Sequence, residues 1–327
     1  MKENWEHKST ANELSPILLK QMIQRAFSGK TVAQLQRTST GLSNGSYRFT
    51  LEQEDRPYLL RVSSGSPDIA SKEVAITQLV AATVPIAEYI YSEIKPISEG
   101  PSWAIIEWKE GVLLADIIRS GDQARIAAAG RAVGHDLACI HQHHFSQAGF
   151  WGATLDIVES LQPGIETWTA FVQHSLQHHR SGQWLDEQEQ HAVQQFLENS
   201  RERLLELELN EPPLLVHADF NGLNILIQES AQTASVAAVL DWEFAFAGTR
   251  YTDIGNMLRY EAVDSLYEQH FLEGYRAGGG TLHSEWRLLS RLEDLIALCD
   301  MLNSSDQHMP RRIADLRRLI ARSIQDV

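Results

Sequence analysis

The chain has 327 residues, 43% of them hydrophobic and 22% charged, an ordinary globular usage that excludes a fibrous repeat or a disordered chain and suits two domains of unequal size. Asp and Glu number 43 against 28 Lys and Arg, a formal net charge of -15 at pH 7, which disfavours sequence-independent nucleic-acid binding and fits either plain solubility or a cationic substrate. The two cysteines, Cys139 and Cys299, sit in apolar helical patterns as buried thiols of a reducing compartment would, and with no apolar h-region near the N-terminus and no apolar run of the ~18 residues a span needs, the expectation is a cytoplasmic protein with no membrane partner.

Leu18, Leu19, Met22 and Ile23 recur at helical spacing and predict a helix over 10–27, stopped by Gly29. Three β-type runs follow at 32–38, 46–53 and 58–62, the last two joined by the turn Glu54-Asp55-Arg56-Pro57, as in an antiparallel meander. From Asp68 to Pro85 the apolar period is helical through Ile69, Val74, Ile76, Leu79 and Val80, and two further strands are expected at 87–92 and 103–108. Near Lys109-Glu110-Gly111 this β-β-β-α-β-β order gives way to a mainly helical remainder, so the chain divides into 1–108 and 109–327. The second part is expected to carry helices at 122–143 and 187–207, short strands at 214–217, 224–227 and 236–240, and helices thereafter.

The informative segment is LLVHADFNGLNILI over 214–227, followed by VLDWE over 239–243. His217, Asp219 and Asn224 stand between two apolar runs and Asp241 ends a third, so buried strands deliver polar groups to one edge. Phosphoryl transfer needs a group that orients the acceptor hydroxyl and metal ligands for the nucleotide phosphates, and a carboxylate, an amide oxygen and a second carboxylate meet those needs. Mg²⁺ takes few protein oxygens besides phosphate and water, so Asn224 and Asp241 are an adequate ligand set. The competing structural reading is a strand-capping His217 and an Asx-type turn at Asp219 and Asn224.

The spacing H-x-D-x(4)-N followed by a hydrophobic residue and D-W-E resembles the aminoglycoside phosphotransferase and choline kinase families, relatives of the protein kinases, whose catalytic loop has the same Asp-to-Asn interval. Ala218 holds the middle position here, and Asn221-Gly222-Leu223-Asn224 replaces a frequent His-Pro-Gly-Asn ending. The resemblance covers roughly 32–260 and is strongest over 214–253. It implies an α+β, bilobal protein-kinase-like fold with a small antiparallel β-rich N-lobe and a larger α-helical C-lobe. It also implies Asp219 as catalytic base, His217 as a brace of the loop, Asn224 and Asp241 as magnesium ligands, and ATP as phosphoryl donor.

Upstream, Gly41-Leu-Ser-Asn-Gly-Ser-Tyr resembles the phosphate-covering loop of these kinases, which implies that Gly41, Ser43, Asn44 and Gly45 meet the phosphates; Asn-Gly is also the commonest hairpin turn. By the same resemblance Arg61 supplies the cation for the α- and β-phosphates, Glu73 orients it, and the backbone near Glu107 and Lys109 forms the adenine-binding hinge. Asp253 is expected to cap a helix and steady the catalytic loop, and Glu243 to act near the metal or as scaffold. His141, His143 and His144, with His178 and His179, lack the i,i+4 spacing of a helical zinc site, and no zinc is assigned. The acceptor is expected to be a small molecule with a hydroxyl: an aminoglycoside-like cation suits the charge, with Glu261, Asp264 and Asp300 as candidate pocket carboxylates, while choline, a fructosamine, a sugar or homoserine would use the same catalytic set. A nucleotide-binding pseudokinase is the competing class.

Overall fold

The computed structural model describes residues 2–6, 14–38, 45–63, 65–94, 100–204, 211–230 and 233–325. The first part is a five-stranded antiparallel sheet of β1 (Val32–Arg37), β2 (Gly45–Leu51), β3 (Pro57–Val62), β4 (Tyr89–Glu93) and β5 (Trp103–Glu107), in the order β1-β2-β3-β5-β4. Strict alternation buries Tyr47, Phe49 and Leu51 of β2 and Tyr58, Leu60 and Val62 of β3 against α1 (Pro16–Ala26). That helix begins at Pro16, not at the expected position 10: Ser15 takes the cap, its hydroxyl accepting the Leu18 N–H at 3.3 Å, and proline suits the first helical position. Leu18, expected on the packed face, is exposed.

The alternation that buries Leu60 turns Arg61 to the opposite face, toward α2 (Pro67–Val80). This helix buries Lys72, Glu73 and Thr77 alongside Ile76 and Val80, whereas Leu79 is exposed. Its apolar end, Ile76 and Val80, joins a core that continues through Leu114, Leu137, Phe220 and Trp242 of the second part.

Beyond β5 the chain forms β6 (Val112–Leu113), α3 (Leu114–Ser120) and α4 (Gln123–Ile140), the last capped by Asp122, whose carboxylate accepts the N–H groups of Ala124 and Arg125. β7 (Gly149–Trp151) and β8 (Ile157–Ser160) follow, then α5 (Ile165–His178), α6 (Ser181–Trp184) and α7 (Glu187–Leu204). β9 (Leu214–Val216), β10 (Ile225–Glu229), β11 (Ala234–Val239) and β12 (Phe246–Gly248) frame the segment from His217 to Glu243, and α8 (Arg250–Leu258), α9 (Leu266–Ala277), α10 (Trp286–Asn303) and α11 (Pro310–Ser323) complete the helical part. Two small sheets, β11-β10-β6 and β8-β7-β12-β9, interrupt the helical part: β9, β10 and β11 lie on the strands expected at 214–217, 224–227 and 236–240, whereas β6, β7, β8 and β12 were not expected. α4 and α9 cross at backbone contact: a Cβ on Gly134 would lie 1.9 Å from the Phe271 carbonyl, and one on Gly274 2.0 Å from that of Arg131. No helix among the described residues is long and apolar enough to cross a membrane.

Candidate active site

β9, buried at all three residues, and β10 hold the two ends of the loop that runs from His217 to Asn224. His217 is fully buried. Its Nε2 lies 2.9 Å from the Leu240 carbonyl and its Nδ1 accepts the Asp219 N–H at 3.2 Å, a pairing that requires the tautomer protonated on Nε2. Asp253, expected to steady the loop, does so from the first turn of α8: its two oxygens accept the N–H groups of His217 and Ala218, each at 2.8 Å. It does not cap the helix, whose N-cap is Thr249, with no capping bond from its side chain; the Thr249 hydroxyl donates to Glu293 at 2.7 Å instead. Ala218 is held at φ +65°, and Asn256 donates to its carbonyl at 3.1 Å.

Asp219 is the one carboxylate of the loop, and both its oxygens are bonded. Oδ1 accepts from Asn221 Nδ2 at 2.9 Å and from the Lys2 ammonium, and Oδ2 accepts from Asn224 Nδ2 at 2.9 Å. Burial pushes its pKa up, but the Lys2 charge and hydrogen bond, with His217 and Arg259 adding to them, hold it below the ordinary carboxylate range.

On β3 Arg61 spans two carboxylates, donating from one nitrogen to Glu73 Oε1 at 2.5 Å and from the other to Asp241 Oδ1 at 2.6 Å. The side chains of Arg61 and Glu73 are 14% and 9% exposed against 32% for Asp241. Burial opposes the guanidinium charge, and the carboxylates of Glu73 and Asp241 overcome it and raise its pKa. Asp241, too, has φ +65°, and the preceding Leu240 N–H bonds to the Asn224 carbonyl at 2.8 Å, tying the two halves of the site together. Glu243 reinforces the charges of Arg61 and Lys72, and the Lys72 ammonium bonds the Ala245 carbonyl at 3.2 Å.

Gly45 opens β2 opposite Val62, one register step from the Ser46–Arg61 pair; Gly41, Ser43 and Asn44 lie outside the described residues. At the end of β5 the Glu107 N–H bonds the Glu88 carbonyl at 2.9 Å, and the Glu107 carboxylate takes Lys109 at 2.9 Å and Arg56 at 3.4 Å. Thus the structure gathers His217, Asp219 and Asn224 with Asp241, Arg61 and Glu73, and sets Glu107 and Lys109 where the chain passes from one part to the other.

Four neighbours escaped the sequence reading: Lys2, Asn221, Asn256 and Tyr89, whose hydroxyl bonds Glu73. Only Asn221 sits within the motif that could have pointed to it. His141 is buried between Tyr275 and Asp253, with burial lowering its pKa. His135, Asp136 and Cys139 come within 4.8 Å of one another on α4, and Cys139 is only half-buried, contrary to expectation. Of the proposed pocket carboxylates, Glu261 lines a small cavity with Arg259, Glu268 and Asp294; Asp264 pairs with Arg287 at 3.4 Å, and Asp300 is exposed on α10 outside that cavity.

The donor set fits a hard divalent cation. Among the described residues Asn224 commits Nδ2 to Asp219 and has no hydrogen bond at Oδ1, while Asp241 gives Oδ1 to Arg61 and has no hydrogen bond at its second oxygen. Neither residue offers a soft ligand.

The profile of the phosphotransferase enzyme family matches residues 34–289. No curated protein matches the chain. Among solved structures, a thermostable mutant of the aminoglycoside phosphotransferase APH(4)-Ia in a ternary complex with ADP and hygromycin B is similar at 20% identity and TM-score 0.69, covering 94% of this chain and 98% of that one. The GDP and kanamycin complex of APH(2")-IIia is similar at 14% identity and TM-score 0.69, covering 94% and 98%. A proposed fructosamine-3-kinase from Thermobifida fusca follows at 16% and TM-score 0.60, covering 93% and 98%. These structures share the kinase-like fold, and the match over most of the chain places this protein in the phosphotransferase enzyme family, among the small-molecule kinases.

Proposed function

We propose that this protein transfers the γ-phosphoryl of ATP to a hydroxyl of a small cationic molecule, and the convergence of Asp219, Asn224 and Asp241 with the Arg61–Glu73 pair carries the reading. Asp219 is the base: as the acceptor oxygen bonds to the γ-phosphorus, its proton passes to the Asp219 carboxylate, and the bond to the β,γ-bridging oxygen breaks to release ADP. His217 holds the loop through Leu240, and Arg61 offers the α- and β-phosphates a cation oriented by Glu73. Asn224 and Asp241 would hold Mg²⁺, which neutralises phosphate charge when bound. Residues 1–108 form the nucleotide lobe and 109–327 the acceptor lobe. Adenine meets the backbone of Glu107 and Lys109, and the Lys109 backbone has no backbone hydrogen bond among the described residues. Gly41, Ser43, Asn44 and Gly45 cover the phosphates.

A cationic acceptor is supported by the net charge of -15, and the similar structures include complexes with hygromycin B and kanamycin. The test is a screen of ADP release with ATP and Mg²⁺ across aminoglycosides, choline-like amines, fructosamines, sugars and homoserine. Turnover with an aminoglycoside that vanishes in Asp219→Ala is expected; turnover that survives Asp219→Ala would falsify the assignment of the base, and turnover confined to a neutral sugar would overturn the cationic class.

A further inference from the structure

Residues 2–6 reach the catalytic loop from outside the segment matched by the family profile. Lys2 opens a three-residue 3-10 turn, Lys2–Asn4, and its ammonium pairs with Asp219 Oδ1 across 217 positions of sequence. Neither group is at the surface, with 13% of the Lys2 side chain and 19% of the Asp219 side chain exposed.

Three anchors fasten this strap. Glu3 pairs with Arg119 at 2.6 Å. Trp5 is 7% exposed, donates its indole N–H to Asp315 at 3.0 Å, and has the Arg312 guanidinium 5.2 Å from its ring centre. Glu6 accepts the N–H groups of Arg311 and Arg312 at 2.9 and 3.1 Å. Those are first-turn donors of α11, whose N-cap residue Met309 makes no side-chain bond, so the strap caps a helix about 300 positions away.

The lone pairs of Asp219 then decide what an acceptor must do. Asn221 and Lys2 occupy Oδ1 and Asn224 bonds Oδ2. The two asparagines belong to the loop itself and also bond the Asp219 carbonyl at 2.9 Å, so Lys2 is the ligand that can leave without unmaking the loop. A buried carboxylate stripped of its cation is costly, which keeps Lys2 in place while no acceptor is bound. We infer that residues 2–6 are an intramolecular competitor for the acceptor position, with the Lys2 ammonium occupying Asp219 until an acceptor displaces it. The inference rests on Asp219 being the carboxylate that orients the acceptor. A docked strap divides acceptor affinity by the fraction of molecules in which it is open, so it raises the apparent KM for acceptor and leaves kcat unchanged. Water is the smallest acceptor: its oxygen bonds to the γ-phosphorus of ATP, the bond to the bridging oxygen breaks, and its proton leaves through Asp219 to solvent, giving ADP and phosphate.

Two readouts test this. Reductive methylation followed by mass spectrometry reports docking without catalysis: in the wild type Lys2 should react about tenfold or more slowly than exposed Lys20, and Asp219→Asn or Trp5→Ala should bring it to the Lys20 rate. ADP release from ATP and Mg²⁺ without added acceptor should rise several-fold in Lys2→Met and in Trp5→Ala and stay near wild type in Lys2→Arg. Equal methylation of Lys2 and Lys20 in the wild type overturns the docking. If ADP release depends on Asp219 but is unchanged or lowered in Lys2→Met, the competitor falls and the phosphotransferase reading stands; if ADP release is indifferent to Asp219→Ala in every background, both fall.

Discussion

Asp253 accepts the Ala218 N–H at 2.8 Å, and Ala218 is held with φ at +65°. A left-handed alanine costs about 1–2 kcal/mol, and the bonds from Asp253 and Asn256 on α8 offset it by gripping both sides of the residue. The loop from His217 to Asn224 is thus held by a helix that follows it in sequence and that, among the described residues, makes no hydrogen bond to the Asp219 carboxylate.

Asp253→Asn should therefore act on the loop without removing a reacting group. One amide oxygen cannot serve the N–H groups of His217 and Ala218 as two carboxylate oxygens do, and one buried donor is left unpaired. A loss of roughly 1–3 kcal/mol in urea denaturation is expected, together with a fall in kcat. Wild-type stability in this variant would show that the loop is held by other contacts.

Asp241→Asn keeps the shape of the side chain while removing the charge that faces Arg61. Weaker binding of Mg²⁺ should reduce the melting-temperature rise produced by ATP with Mg²⁺ to that of ATP alone, and turnover should drop by about 100-fold or more. An undiminished thermal shift with Mg²⁺ would remove Asp241 from the ligand set.

Arg61→Lys tests the fork. One ammonium cannot donate along two fixed directions to Glu73 and Asp241, so KM for ATP should rise by about tenfold, and Arg61→Ala should lose more and destabilise the fold by ~3–5 kcal/mol, because the buried Glu73 carboxylate loses its cation and keeps only the bonds from Tyr89 and the Trp242 backbone. Nucleotide titration and urea denaturation of the two variants separate these effects.

Glu293 titrates in a usable range. Burial raises its pKa from 4.5 to about 7 against hydrogen bonds from Thr249 and Thr252, with Asp253 adding to the rise. The unfolded chain releases this proton near 4.5 and the folded protein near 7, so the folded state binds the extra proton between them. Its contribution to stability falls as pH rises through that window and is lost above it. Glu293→Gln should gain roughly 1–3 kcal/mol on wild type at about pH 8 and little near pH 4.5. A difference independent of pH in urea denaturation would refute the shifted carboxyl.

The sequence by itself determined whatever lies within a few residues along the chain. His217, Asp219 and Asn224 share one loop between apolar strands, so their interval is already a geometry. The alternation of β3 likewise sets Arg61 opposite Leu60, and Ser15 with Pro16 marks the start of α1, although the apolar period alone placed it too early. β7 and β12, three residues each, are too short to display a period of two, and so the sheet they build went unread. Tertiary structure alone decided the pairings of Arg61 with Asp241 across 180 positions, of Lys2 with Asp219 across 217, and of Glu6 with the first turn of α11 across 305. Charged side chains that meet over such separations leave no periodicity, cap or turn signature at either end; only the packing of the two parts brings them within reach.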